Sequence, residues 1–211
     1  MIEHVLPGDI EKRSMEIIGE ELAARGISLD PEQDPVIRRA IHTSADFDYA
    51  ETLMFSEDAV RKARALIAAG ADIVTDTNMA LTGINKKRIA AFGGEVRCYM
   101  ADEDVAREAN ERGITRASVS MEHAAADILA SGRKTVFAVG NAPTALITLR
   151  NMYDEGKFTP DFVIGVPVGF VNVVEAKELL LETDIPHIVN RGRKGGSNVA
   201  AAIVNALVYG M

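Results

Sequence analysis

The chain has one cysteine, Cys98, in 211 residues, so it can form no internal disulfide and no CxxC pair for a metal or redox centre. It also lacks a long apolar run. Thr135–Gly140 and Phe162–Val174 are too short, or too broken by Gly and Pro, for a membrane helix of about 20 residues. The opening Met1–Pro7 has neither the basic flank nor the apolar core of a secretory leader, and the cytoplasm is the expected compartment. Positive charge is in the minority: 23 Lys and Arg stand against 31 Asp and Glu, a formal net charge of −8. Sequence-independent nucleic-acid binding, which depends on neutralising phosphates, is not expected. The first strand is not followed by GxGxxG, no GxxxxGK[ST] occurs, and no HExxH or similar histidine spacing marks a metal site. Low-complexity tracts, repeats and Ser/Gly linkers are missing too, so one domain over residues 1–211 is expected.

What remains is an ordinary globular composition, 47% hydrophobic and 26% charged, which disfavours disorder and fibrous classes. β-branched runs at Asp72–Thr75, Glu95–Met100, Thr135–Val139, Asp161–Val166 and His187–Asn190 read as strands. None alternates strongly, the pattern of strands buried on both faces. Helical segments lie between them: Asp102–Gly113, Thr115–Gly132, Asn141–Gly156, Asn172–Glu182 and Ser197–Gly210, each with a capping residue or a closing Gly. Strands alternating with helices predict an α/β fold with a parallel sheet. Three further helices, Gly8–Arg25, Pro35–Thr43 and Glu57–Gly70, precede the first strand as an N-terminal helical extension.

Ligands of open parallel sheets sit beyond the carboxyl ends of the strands. The segments there are Thr75–Gly83, Gly140–Thr144, Pro167–Asn172 and Arg191–Ser197, rich in small residues and poor in acidic ones. Small residues let backbone N–H groups approach a ligand, and helix N-termini favour anions. A rim suited to carboxylates or phosphates is expected, with Arg191, Arg193 and Lys194 as local positive charge.

On the first helix Ile10, Ile17, Ile18 and Leu22 share a face, and Ser14 falls in that stripe. Its hydroxyl must pack against backbone or meet a ligand. The second helix opens at Asp34-Pro35 and turns Val36, Ile37, Ala40 and Ile41 inward. His42 flanks this stripe with Arg39 three residues back; a histidine there is either a hydrogen-bonded structural residue or a proton carrier. Met79, in a rim segment, is the one methionine set apart from core filling.

Several runs together carry a family resemblance: Arg13-Ser14, Ile37-Arg-Arg-Ala-Ile-His42, Asp76-Thr-Asn-Met79, Gly140-Asn-Ala-Pro-Thr-Ala145, Gly165-Val-Pro-Val-Gly-Phe170 and Arg191-Gly-Arg-Lys-Gly-Gly-Ser197. In this order, over about residues 10 to 205, the chain resembles the precorrin-8X methylmutases. The resemblance implies a three-layer α/β/α, flavodoxin-like fold with a five-stranded parallel sheet, and a homodimer with active sites near the subunit interface. It implies an isomerase of corrin-ring (cobalamin) biosynthesis that moves a methyl group from carbon 11 to carbon 12 of precorrin-8X, or of its cobalt form, giving hydrogenobyrinate or cobyrinate. The partner is thus a corrinoid polycarboxylate, with no redox cofactor and no metal ligand set. Residue by residue, His42 matches the proton donor and acceptor, Ser14 and Arg39 match substrate contacts, and Arg116 a further basic contact. Asn78 and Met79 lie where the family meets the macrocycle, although the Asp-Thr-Asn-Met wording varies from the usual pattern. A non-catalytic corrinoid carrier would use the same rim without needing His42, but the DxHxxG cobalamin-binding signature is absent.

Overall fold

The computed structural model describes residues 4–211. A 3-10 turn at Pro7–Asp9 leads into α1 (Ile10–Ala24), α2 (Asp34–Ser44), α3 (Tyr49–Thr52), β1 (Leu53–Phe55) and α4 (Ala59–Ala68). There follow β2 (Asp72–Thr75), α5 (Asn78–Gly83), α6 (Lys86–Ala91), β3 (Val96–Arg97), α7 (Glu103–Arg112), α8 (Arg116–Ser131) and β4 (Thr135–Val139). The chain closes with α9 (Pro143–Asp154), β5 (Phe162–Gly165), α10 (Val173–Leu181), β6 (His187–Asn190) and α11 (Ser197–Tyr209).

The sheet runs β1-β6-β5-β4-β2-β3, with β1 antiparallel to β6 and every other pairing parallel. Renumbered among themselves, the five parallel strands stand in the order 2-1-3-4-5 from the β3 edge, the flavodoxin-like order. The winding reverses between β2 and β4, so the switch-point crevice opens between their carboxyl ends. Strands β2, β4, β5 and β6 are buried at every position, in keeping with their lack of alternation. One side of the sheet, Ile73, Val136, Ala138, Ile164 and Ile188, packs with α1, α2, α4 and α11. The opposite side, Val74, Phe137, Val139, Val163 and Val189, packs with α8, α9 and α10.

Helix α11 is apolar nearly all round, burying Val199, Ala200, Ile203, Val204, Leu207 and Val208 beneath α2, α4 and α5. A helix of that kind belongs in an interior. It lets α5 come close: a Cβ on Gly83 would lie 2.9 Å from Cβ of Ala201. Helix α2 turns Val36, Ile37, Ala40 and Ile41 into this layer, each at most 3% exposed, and burial of each large side chain stabilises by roughly 1.5–3 kcal/mol. That anchoring fixes where its next residue, His42, stands.

Three expectations need correction. The N-terminal extension is not wholly helical, because it contributes β1 to the sheet edge, pairing Leu53 with Asn190 and Phe55 with Ile188. The sheet therefore has six strands, five of them parallel. The segment 78–83, expected as a rim loop, is helical, with the Thr77 hydroxyl accepting from the Ala80 N–H at its start. The second strand is shorter than Glu95–Met100, holding only Val96 and Arg97.

Candidate active site

Helix α2 is tied to α1 by Arg38, whose Nε donates to Asp34 at 2.8 Å and whose Nη1 donates to the Met15 carbonyl at 3.1 Å. Gly19 on α1 leaves the room that this guanidinium occupies. The helix ends at Ala45, in the left-handed region at φ 55°. His42 sits in the last turn before that end, exposed, and its ring makes no hydrogen bond among the described residues. Two other histidines are occupied. His123 Nε2 lies 2.9 Å from Glu108, and His187 Nδ1 lies 2.8 Å from the Ile185 carbonyl, with burial pushing its pKa down.

Two cavities meet at His42. The first, about 230 Å³, is mostly apolar, with Ile17, Ile18, Ile41 and Phe47 around Ser14. The second, about 320 Å³, is polar, with Glu11, Arg39, Thr43, Asn198, Asn205 and Tyr209. A third of about 340 Å³ adjoins the first across Ser14 and Ile17 and reaches His4, Val5 and Ile10. His42 is thus a shared wall of the first two cavities and Ser14 of the first and third, and the three stand side by side as a trough along α1 and α2. The expected apolar stripe of α1 is only half inward: Ile18 and Leu22 are buried, whereas Ile10 and Ile17 are 54% and 37% exposed and line the trough. The Ser14 hydroxyl donates to the Ile10 carbonyl at 2.9 Å, which leaves its oxygen able to accept.

The polar end is firmly built. Arg39 Nη2 lies 2.7 Å from Glu11 Oε1, and its guanidinium stacks 5.6 Å from the centre of the Tyr209 ring, which Arg88 also faces. Asn205 accepts from the Asn85 N–H at 2.8 Å and donates to the Gly83 carbonyl at 2.9 Å, pinning the end of α5 to α11. The hydrogen bond from Arg39 holds the Glu11 carboxyl below the usual carboxylate range.

Of the residues singled out in the sequence, Ser14, Arg39 and His42 come together here. Asn78 and Met79 do not reach His42: both are exposed at the start of α5, Met79 at 71%, while Gly83 at the far end of that helix borders the polar cavity. Arg116 begins α8 on the opposite side of the sheet, exposed and without an ion pair among the described residues. Glu11, Asn205 and Tyr209 were not anticipated. They stand near the two ends of the chain, and no local spacing links them.

The expected anion rim is largely closed by the protein itself. Asp76, fully buried at the end of β2, accepts from the N–H groups of Gly140, Asn141 and Ala142 at 2.8, 2.8 and 2.7 Å. Burial pushes its carboxyl up, and the three donors offset this only in part. Gly140 is required there, since a Cβ would fall 2.7 Å from Cα of Ser197. Buried Lys177 donates to the carbonyls of Gly192 and Lys194, both at 2.8 Å, and fixes the last rim loop. The loop's own cations are engaged as well: Lys194 pairs with Asp46 and Asp48 at 2.6 Å, Arg191 with Glu178 at 3.4 Å, and Arg193 stacks on Phe170. Thr77 and Ser197 hydroxyls, 2.8 Å apart, stitch the crevice to α11. These loops are scaffold, and the open trough lies to one side of them.

The family model described as precorrin-8X methylmutase matches residues 9–210. The chain belongs to the precorrin-8X methylmutase family. The cobalt-precorrin-8 methylmutase of Salmonella typhimurium is 48% identical over 179 residues, 85% of this chain and 82% of that protein. The cobalt-precorrin-8 methylmutase of Priestia megaterium is 43% identical over 203 residues, 96% and 88% of the two. A crystal structure titled as precorrin-8x methyl mutase from Thermus thermophilus superposes with TM-score 0.83 at 39% identity, covering 95% of this chain and 94% of that one. Set on the fold, the precorrin-8X methylmutase motifs divide into two groups: the runs at 13–14 and 37–42 flank the trough, and those at 76–79, 140–145, 165–170 and 191–197 stand around the switch point.

Proposed function

We propose that this chain catalyses the migration of a methyl group from carbon 11 to carbon 12 of precorrin-8X, or of its cobalt form, yielding hydrogenobyrinate or cobyrinate in cobalamin biosynthesis. The observation that carries the reading is the accessible His42 imidazole, without a hydrogen bond among the described residues, between an apolar and a polar cavity, in a chain of this family. The shift makes and breaks bonds within one conjugated ring, so composition is unchanged and no nucleophile is consumed. What the protein must supply is a held ring and a proton moved to and from it. Histidine is suited to that exchange near neutral pH, and a positioned proton donor is typically worth about 10²–10⁴ in rate.

In this reading the ring lies along the trough with its apolar face toward Ile17 and Phe47, while peripheral carboxylates turn toward Arg39, Asn198 and Asn205. Ser14 contacts the ring edge. A planar guanidinium matches a carboxylate with two parallel hydrogen bonds. Asn78, Met79 and Arg116 are also read as substrate contacts, and since they do not reach His42 within one chain, a homodimer with active sites near the interface accounts for them. The compartment is the cytoplasm, where lone Cys98 stays reduced. Among the described residues no helix is long and apolar enough to cross a membrane.

The test is turnover. Purified protein and its His42→Ala variant are incubated with precorrin-8X, or the cobalt form, and followed by the ring's visible spectrum, with the methyl position read by NMR. The expected result is rearrangement by the wild type, and binding with at least a hundredfold slower turnover by the variant. Binding without rearrangement by both would instead identify a corrinoid carrier.

A further inference from the structure

Glu11 sits where a ligand's acid group would be expected. Its carboxylate meets Arg39 at 2.7 Å inside the polar cavity that also includes His42. The two partners differ in freedom: the Arg39 side chain is 19% exposed and the Glu11 side chain 61%. Arg39 is held from a second side by the Tyr209 ring, 5.6 Å away, so loss of Glu11 leaves the guanidinium in place. Besides Arg39, only the charge of His42 acts to stabilise the Glu11 carboxylate among the described residues; Glu11 lies in the first turn of α1, three residues before Ser14.

We propose that Glu11 is a displaceable stand-in for a substrate carboxylate: it occupies Arg39 in the ligand-free protein and competes with the acid groups of substrate and product for it. This rests on reading Arg39 as a substrate anchor. A half-exposed ion pair contributes little, so an incoming carboxylate exchanges with it easily. Once displaced, the Glu11 carboxylate stays within reach of Arg39 and competes to pair with it again. A product that fills the trough with apolar surface and several anchored acids would otherwise leave slowly. Glu11 speeds its departure while the cation it vacates stays in position for the next substrate. No covalent step is involved; one carboxylate replaces another on the same guanidinium.

The experiment is titration of hydrogenobyrinate into the full-length protein, followed by its visible spectrum, for wild type, Glu11→Gln, Arg39→Gln and the double variant. Glu11→Gln is expected to bind the product about two- to fivefold more tightly, the range that exposed ion pairs span. In the Arg39→Gln background the Glu11 substitution should have no further effect, since a double-mutant cycle isolates the pairwise contribution. Unchanged or weaker binding by Glu11→Gln, with Arg39→Gln still weakening it, would overturn the stand-in role and leave the Arg39 anchor intact. Tightening by Glu11→Gln that persists without Arg39 would also overturn it, as a general charge effect. Wild-type binding by Arg39→Gln would overturn the anchor reading and the stand-in with it.

Discussion

At the crevice between the ends of β2 and β4, the Asp76 carboxylate is fully buried and accepts three backbone N–H groups. In the trough along α1 and α2, the Glu11 carboxylate meets one guanidinium with more than half of its side chain in water. Both are anion sites filled by the protein, yet only the second can exchange its occupant. A buried carboxylate that left would orphan three donors, each costing roughly 1–3 kcal/mol, whereas a surface pair is worth about 0–1 kcal/mol. The switch point, where proteins of this strand order hold ligands, is here spent on structure. In the proposed reading the site lies one layer outward, on the helices that precede the first parallel strand.

Replacing Asp76 by Ala breaks this contrast most directly. The variant should lose about 3 kcal/mol or more of unfolding free energy in urea, because buried donors lose their acceptor; a loss under about 1 kcal/mol would mean that water serves the nest equally well. Lys177 gives an intermediate effect with a pH signature. Burial pushes its ammonium down to about 8, below the roughly 10.4 of a lysine in the unfolded chain. Below that lower value both states carry the charge and the burial penalty is complete. Between the two values the unfolded chain binds more protons, so stability rises with pH. Compared with Lys177→Met, the wild type should therefore gain stability across that window, and parallel curves would contradict the assignment. The smallest change is expected on the trough side: His42→Ala, at an exposed position, should alter stability by no more than about 0.5 kcal/mol while removing turnover.

The four central strands could be read from the sequence because both of their faces are buried, leaving continuous β-branched runs that only a parallel sheet explains. β1 could not. Its three residues follow directly on α3, and only Leu53 among them is buried. α5 and α6, six residues each, are too short for a helical period to stand out. At the site, Ser14, Arg39 and His42 were accessible because each stands at helical spacing beside an apolar stripe and within a family motif. Asp76 was visible only as part of a polar run after a strand; nothing in that run says that its carboxylate turns back onto residues 140–142. Glu11 and Tyr209 are nearly the full chain apart, and their meeting at Arg39 is a consequence of α1, α2 and α11 packing together.

The central claim is that the trough around His42, rather than the switch-point crevice, holds the ring. A crystal structure of the protein with hydrogenobyrinate tests it most directly. The account predicts the ring along α1 and α2, within hydrogen-bond distance of the His42 imidazole, with one carboxylate on Arg39 in the place of Glu11. A ring seated over the carboxyl ends of β2 and β4, with Asp76 displaced from the N–H groups of residues 140–142, would contradict it.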